Sequence, residues 1–394
     1  MIKALEYLQI KLAEHEVRGY DLKLLGVTVL LVFAGVLMVY SASTPLSDRT
    51  YGSSLVMLRN HLIHLMVGGM ALWVAMRIPY QRYERWMPWL LLAIFLALVL
   101  VLIPGLGYQV GGARRWLRLG PFNAQPTEAL KLILVIYVAS YLTRKGERLT
   151  HFFRGVFPNL VVMGMFLAMV LLQPDFGTVV LIALTLLLMI FLGGGQPRHL
   201  LYSLMGFGLI GLYLIGSQSY RMRRIFAFLD PWGDRLDSGF QIVQSYLAFG
   251  SGGWFGVGLG DSSQKHFFLP DAHTDFIFAI VGEELGLLGV WVLIALFCIF
   301  AWRGFRIALA AKEEFARHLA CGIATMFSLQ ILLNMAVVMG LMPTKGLPLP
   351  FISYGGSSLV GAMFMVGILL NISAGGAPRR EAESAGRAGT RERT

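Results

Sequence analysis

Cysteine is nearly missing from this chain: Cys298 and Cys321 are the only two in 394 residues. Two thiols in or beside apolar stretches form no disulfide framework and carry no metal-ligand spacing. The eight histidines show no metal spacing either, and Gly256-Val-Gly-Leu-Gly260 lacks the context and the Lys-Ser/Thr of a phosphate loop. Charge is also scarce. Only 14% of residues are Asp, Glu, Lys or Arg, against about a quarter in a soluble domain. A cleavable leader is absent too, since Met1 to Lys23 is mixed in charge with no small-residue cleavage pattern ahead of Leu24. Residues 1–21 read instead as a cytoplasmic amphipathic segment on the membrane surface, with Ile2, Leu5, Leu8 and Leu12 turned inward. No internal repeat is visible, which argues against an inverted-repeat transporter.

What is abundant is apolar sequence, 56% of the chain. Leu24 to Tyr40, Trp86 to Ile103, Val179 to Leu192 and Val290 to Phe300 contain no charge at all. Each lies in a window of roughly 17–25 residues, enough to cross ~30 Å of hydrocarbon as a helix. The fold class is therefore an all-α polytopic membrane protein. Ten spans fall at about 22–42, 60–77, 86–104, 126–143, 157–173, 176–193, 198–216, 275–301, 315–341 and 355–374. With both termini cytoplasmic, 21 of the 33 Lys and Arg lie inside and 11 outside, with Lys131 inside a span. That asymmetry follows the positive-inside rule, so the net charge of +11 needs no nucleic-acid partner. Residues 375–394 are a polar tail of disordered composition.

The one long connection, residues 217–274, is glycine-rich yet carries Phe240, Ile242, Val243, Tyr246, Trp254 and Phe255. Those side chains favour helix-like segments along the outer membrane surface. Cations are few outside, so the clusters Arg114, Arg115, Arg118 and Arg221, Arg223, Arg224 call for anionic partners: headgroups, acidic side chains or a phosphorylated substrate. Glu128 and Lys131 open a span at an i, i+3 spacing. They share a helix face and serve either as a buried pin or as a functional pair. Asp175, in Gln173-Pro-Asp-Phe-Gly177, reads as a turn residue. Asp275 enters the membrane after the long loop, where it either caps a helix or begins a polar stripe that includes Glu283. Lys345 is the single cation of the proline-rich last loop, which also holds Ser353.

A single carboxylate with several cations suits one class of reaction. A sugar leaving as a lipid diphosphate needs no general acid, because the departing group is already a good anion. It needs cations on the leaving group and one base for the acceptor hydroxyl. A flippase for the same lipid would also want arginines and a polar groove.

These residues resemble the SEDS family (shape, elongation, division and sporulation), whose members polymerise lipid II into peptidoglycan. The likeness covers roughly residues 20–374. It is carried by Gly112-Ala-Arg-Arg-Trp-Leu117, Gln125-Pro-Thr-Glu-Ala-Leu-Lys131, Gln173-Pro-Asp-Phe-Gly177, Gln264-Lys-His-Phe-Phe-Leu-Pro270, His273-Thr-Asp-Phe-Ile-Phe-Ala279, Gly282-Glu-Glu-Leu-Gly286 and Pro343-Thr-Lys-Gly-Leu-Pro-Leu-Pro-Phe-Ile-Ser-Tyr-Gly-Gly-Ser357. The stretches at 264–275 and 343–346 are closer to the division member than to the elongation member; Thr127, where many members have Ser, is a small departure. The resemblance implies a ten-helix inner-membrane enzyme at the division septum, with its site facing the periplasm or cell exterior. It implies Asp275 as the base and as a metal-site residue for a divalent cation (Mg or Mn), with Arg114, Arg118, Lys131 and Lys345 supporting the diphosphate or metal. Glu128 and Glu283 would orient them, with Ser353 also assigned to the substrate site. It further implies a class B penicillin-binding protein as transpeptidase partner, with other division proteins. A lipid II flippase and a non-catalytic division scaffold are the competing functions.

Overall fold

A computed structural model describes residues 19–375, apart from 111–112, 121, 218, 236, 238 and 267. The amphipathic segment expected at 1–21 lies almost wholly outside the described residues, as does the tail after 375.

Among the described residues, twelve α-helices and one small sheet follow in chain order. They are α1 (Leu22–Tyr51), α2 (Val56–Arg77), α3 (Tyr80–Leu102), then β1 (Gly107–Val110), β2 (Ala113–Leu119) and β3 (Phe122–Ala124). Next come α4 (Pro126–Lys145), α5 (Phe157–Leu171), α6 (Phe176–Leu192), α7 (Pro197–Gly216), α8 (Ser219–Leu229) and α9 (Phe240–Gly252). The chain closes with α10 (Ile277–Ala310), α11 (Glu314–Val338) and α12 (Gly356–Ser373). Among the described residues, eight helical segments are long and apolar enough to cross a membrane: α1, α3, α4, α5 with the π-helical turn before it, α7, α10, α11 and α12. The protein is thus a multi-pass membrane protein. The remaining two expected spans differ in character. α6 is strongly apolar but has 17 residues, about 25 Å of helix. α2 carries Arg59, Asn60, His61 and His64 along its first turns.

α11 is the central helix, packed against α10, α4 and α6, while α2 lies along α12. α7 stands at the periphery, with only His199 and Ser203 buried. The start of α1 is pinned by Asp21, which caps the helix through Leu24 N–H at 2.9 Å and pairs with the buried Arg303.

Two departures from the sequence reading shape the other end. Residues 107–124, read as a loop, form an antiparallel meander in the order β1-β2-β3. α10 begins after Asp275 and is broken at Gly286, whose φ of 65° and ψ of −166° is a conformation essentially open to glycine alone. Residues 253–258 fill the break. Leu287 and Leu288 N–H donate to the Gly253 and Trp254 carbonyls at 2.9 and 3.2 Å, and Val257 and Gly258 N–H donate to the Glu283 and Glu284 carbonyls at 3.0 and 3.2 Å. Backbone groups freed by a helix break must find partners away from water, and here one loop supplies all four.

Candidate functional site

Asp275 stands on the turn that delivers the chain into α10. The Asp271 carbonyl accepts from Thr274 N–H (3.0 Å) and Phe276 N–H (3.3 Å). The last loop holds the turn from its other side: Ser353 Oγ donates to the Thr274 carbonyl at 2.5 Å, and Tyr354 N–H to the His273 carbonyl at 2.9 Å. Capping does not occupy the Asp275 side chain. The N-cap of α10 is Phe276, with no side-chain cap bond. The carboxylate instead faces a cavity of about 580 Å³, shared with Arg115, Arg221, Arg224, Lys345 and Asp271. Gly346 lies against it, so close that a Cβ there would sit 3.0 Å from Asp275 Oδ2.

The cations reach this cavity from three separate parts of the chain. β2 brings Arg115, α8 brings Arg221 and Arg224, and the last loop brings Lys345. Arg115 is fixed by the Gln173 and Pro174 carbonyls at 2.9 and 2.6 Å and lies 3.9 Å from Asp175. Arg224 donates to the Thr344 carbonyl at 3.1 Å. Phe176 lies between two of them, its ring centre 5.7 Å from the Arg221 guanidinium carbon and 5.8 Å from Lys345 Nζ. Asp175 caps α6 by accepting from Thr178 N–H and Oγ at 3.2 and 2.9 Å. It therefore does the turn's work while lining the same cavity.

Crowding by protein atoms strips water from the Asp275 carboxylate and, with Asp271 and Asp175 nearby, pushes its pKa up to about 7, against the pull of Arg115 and Arg224. Burial pushes the Lys345 ammonium down from its ordinary value. A carboxylate titrating near neutrality among cations can accept a proton from a hydroxyl, and the cations can hold an anionic phosphate.

The other residues singled out from sequence stand elsewhere. β2 explains the arginines. The strand is bulged at Arg115, since Tyr108 pairs with Trp116 and Gln109 with Arg114. Ala113 and Arg115 line the cavity while Arg114 and Arg118 lie outside its wall and are exposed, Arg118 lying 4.8 Å over the Tyr108 ring. The expectation at Arg114 and Arg118 treats the segment as a loop; Arg115, the residue that the bulge leaves unpaired, is the one that lines the cavity. Glu128 and Lys131 form a buried pair at 2.7 Å, and Lys131 Nζ donates to Gln330 Oε1 at 3.3 Å; neither lines the cavity. Glu283 is fully buried and accepts from Ser262 Oγ, and from Ser263 N–H and Oγ at 3.0 Å each. The helical-phase argument linking Glu283 to Asp275 fails because Asp275 precedes the helix. Ser353 serves the backbone, donating to Thr274 and accepting from Leu349 N–H at 2.8 Å. Arg221 and Arg224, singled out from sequence only as cations in need of an anionic partner, line the cavity together with Asp271, which had no assigned role.

Among the described residues, no three His, Cys, Asp or Glu side chains group as a metal site. A Mg-type ion keeps several waters and binds through one or two carboxylates plus substrate phosphates. Asp275 and Asp271 in one cavity fit that lesser requirement and would be the residues to hold such an ion.

Comparison with known proteins follows the same lines. The family model described as "Cell cycle protein", covering FtsW, RodA and SpoVE, matches residues 22–376. A protein of Geobacter metallireducens named probable peptidoglycan glycosyltransferase FtsW is 46% identical over 372 residues, 93% of this chain and 98% of that one. Stage V sporulation protein E of Bacillus subtilis is 42% identical over 357 residues, 90% of this chain and 96% of that one. Among solved structures, a chain from a peptidoglycan synthase complex described as coordinating polymerization and crosslinking superposes with a TM-score of 0.75 at 27% identity, covering 91% of this chain and 98% of that chain. The rod shape determining protein RodA of Thermus thermophilus gives 0.65 at 27% identity, covering 90% and 96%.

Proposed function

The chain belongs to the SEDS family of cell cycle proteins that includes FtsW, RodA and SpoVE, and from that membership we propose that it is a peptidoglycan glycosyltransferase polymerising lipid II during septal wall synthesis. The observation that carries the reading is one cavity holding Asp275 with Arg115, Arg221, Arg224 and Lys345. Asp275 takes the proton from the acceptor sugar hydroxyl as that oxygen attacks the anomeric carbon of the donor. The bond from that carbon to the lipid diphosphate breaks, and the four cations hold the departing charge. A divalent cation, when bound, adds charge at the diphosphate. Ten spans with both termini inside would put the cavity at the outer face of the bacterial inner membrane. A class B penicillin-binding protein would supply crosslinking.

The direct test is the purified protein with that transpeptidase, lipid II and a divalent cation, read as glycan product on a gel. Labelled lipid II crossing vesicles with no glycan formed would favour transport instead.

The proposal has a pH signature. Asp275 acts as a base only when ionised, so the rate should rise with pH through about 7. Asp271→Asn removes a neighbouring negative charge and should move that limb to lower pH; Arg224→Gln removes a positive one and should move it higher. A flat profile between pH 5.5 and 8 would remove Asp275 from the proton-transfer role.

The place of Arg115 on the cavity wall gives a second expectation. Arg115→Ala should raise the KM for lipid II by roughly tenfold, the scale of one lost charge-assisted bond, with Arg114→Ala within about twofold of wild type. Equal effects in steady-state kinetics would contradict the orientation of β2.

A further inference from the structure

One face of α11 carries two amides a helical turn apart, and neither belongs to the cavity wall. Asn334 Nδ2 donates to two carbonyls at once, Asp275 O at 2.9 Å and Leu347 O at 2.6 Å. Gln330 Nε2 donates to Pro348 O at 2.8 Å, while its Oε1 accepts from Lys131 Nζ at 3.3 Å, which in turn pairs with Glu128. Both amides are buried. The orientation of Asn334 follows from chemistry, since both of its partners are carbonyl oxygens and only the NH2 end can meet them. That leaves Asn334 Oδ1 buried without a partner among the described residues. A buried acceptor left unmet opposes folding, and the arrangement retains it in exchange for tying two chain segments to one atom.

Those two segments are the ones that bring Asp275 and Lys345 together. Asp275 hangs on the first, and Lys345 stands two residues before Leu347 on the second, with Gly346 against the Asp275 carboxylate between them. No helix spans either segment, and both are irregular backbone. Apart from the one backbone bond from Tyr354 N–H to the His273 carbonyl, their separation is set by side-chain ties.

We propose that Asn334, seconded by Gln330 and the Glu128–Lys131 pair behind it, is a positioning residue that fixes the spacing between the carboxylate of Asp275 and the ammonium of Lys345. This rests on the glycosyl-transfer reading for its kinetic consequence, though not for its structural one. It also gives the Glu128–Lys131 pair a route to the site: Lys131 holds the carbonyl end of Gln330, which orients the amide so that its NH2 end faces the last loop.

The test uses the full-length protein with Asn334→Leu, which keeps much of the volume and removes both donors, and Gln330→Leu beside it. Polymerisation of lipid II is measured at a temperature where each variant remains folded by its unfolding midpoint. Asn334→Leu is expected to lower kcat tenfold or more with KM within about threefold, and to displace the acid limb of the pH–rate profile. Gln330→Leu should do the same more weakly, and Asn334→Gln, which keeps the donors on a longer stem, should recover part of the rate. Ser203→Leu, a buried polar loss on α7, is the control for destabilisation alone. A wild-type kcat in Asn334→Leu would overturn the proposal, and so would a loss no greater than in a Ser203→Leu protein of the same midpoint.

Hydrogen–deuterium exchange reads the tie without any chemistry. Peptides covering 343–353 and 271–277 should exchange at least fivefold faster in Asn334→Leu than in wild type. Unchanged exchange would sink the positioning claim whether or not the protein makes glycan. Faster exchange together with the kcat loss, in a protein whose wild type makes glycan, supports it. Faster exchange in a protein whose wild type makes no glycan would uphold the tie and refute the enzymatic reading alone.

Discussion

Asp275→Asn should bring glycan polymerisation down by ~100-fold or more, the range that a positioned general base contributes. The substitution is nearly isosteric and leaves the Asn334 bond to the Asp275 carbonyl in place, so the turn into α10 should stand. Asparagine cannot accept the proton of the acceptor hydroxyl. It also removes a negative charge from among Arg115, Arg224 and Lys345, so lipid II should bind at least as well as before. The expected pattern is a collapsed kcat with a KM unchanged or lower, which marks an interaction made in the transition state. Initial rates with purified protein would decide it. An Asn variant that polymerises at the wild-type rate would leave the cavity without a base.

Glu284→Ala should be the most destabilising single change away from the cavity. Glu284 is buried and pairs with Lys265 Nζ at 3.0 Å. Ser41 Oγ joins them, donating to Glu284 at 2.5 Å and lying 3.1 Å from Lys265 Nζ. Removing the carboxylate strands a buried ammonium, and breaking one side of such a pair costs roughly 3–5 kcal/mol. The double change Glu284→Leu with Lys265→Met removes both charges and should recover most of that loss, because well-packed apolar side chains often equal a buried ion pair. Unfolding in detergent, followed for the two single variants and the double, is the measurement. A double variant as unstable as Glu284→Ala would show that the pair is not the source.

Much of the architecture was legible because membrane helices announce themselves by length and lack of charge. α4, α5, α6, α7, α11 and α12 fall within a few residues of where apolar sequence put them, as does the start of α1. The break in α10 was not legible. A glycine in an apolar run is common, and only the docking of residues 253–258 turns Gly286 into a discontinuity. The site was half legible. Asp275 and Lys345 stood out as charges at the ends of apolar runs, and they share the cavity. Arg115 was hidden because a bulge has no period: it leaves Arg115 unpaired within a seven-residue strand, among Gly and Arg neighbours that do not mark it. Glu128, Lys131 and Glu283 were visible as intramembrane charges, but a charge shows only that a partner exists. Glu128 and Lys131 do pair as their i, i+3 spacing implies, but nothing in the spacing of 131 to 330, or of 262 to 283, brings in Gln330 and Ser262, the further partners of Lys131 and Glu283.

The gap in α10 also has a mechanical meaning. A continuous helix would carry a tilt of its lower portion straight to the turn bearing Asp275. With the rod cut at Gly286 and the cut spliced by four amide links from residues 253–258, the two portions are separate levers meeting at a joint. The two portions are thus joined through that splice and not through an unbroken ladder of helix bonds, with Glu284, on the turn side of the joint, held separately by Lys265.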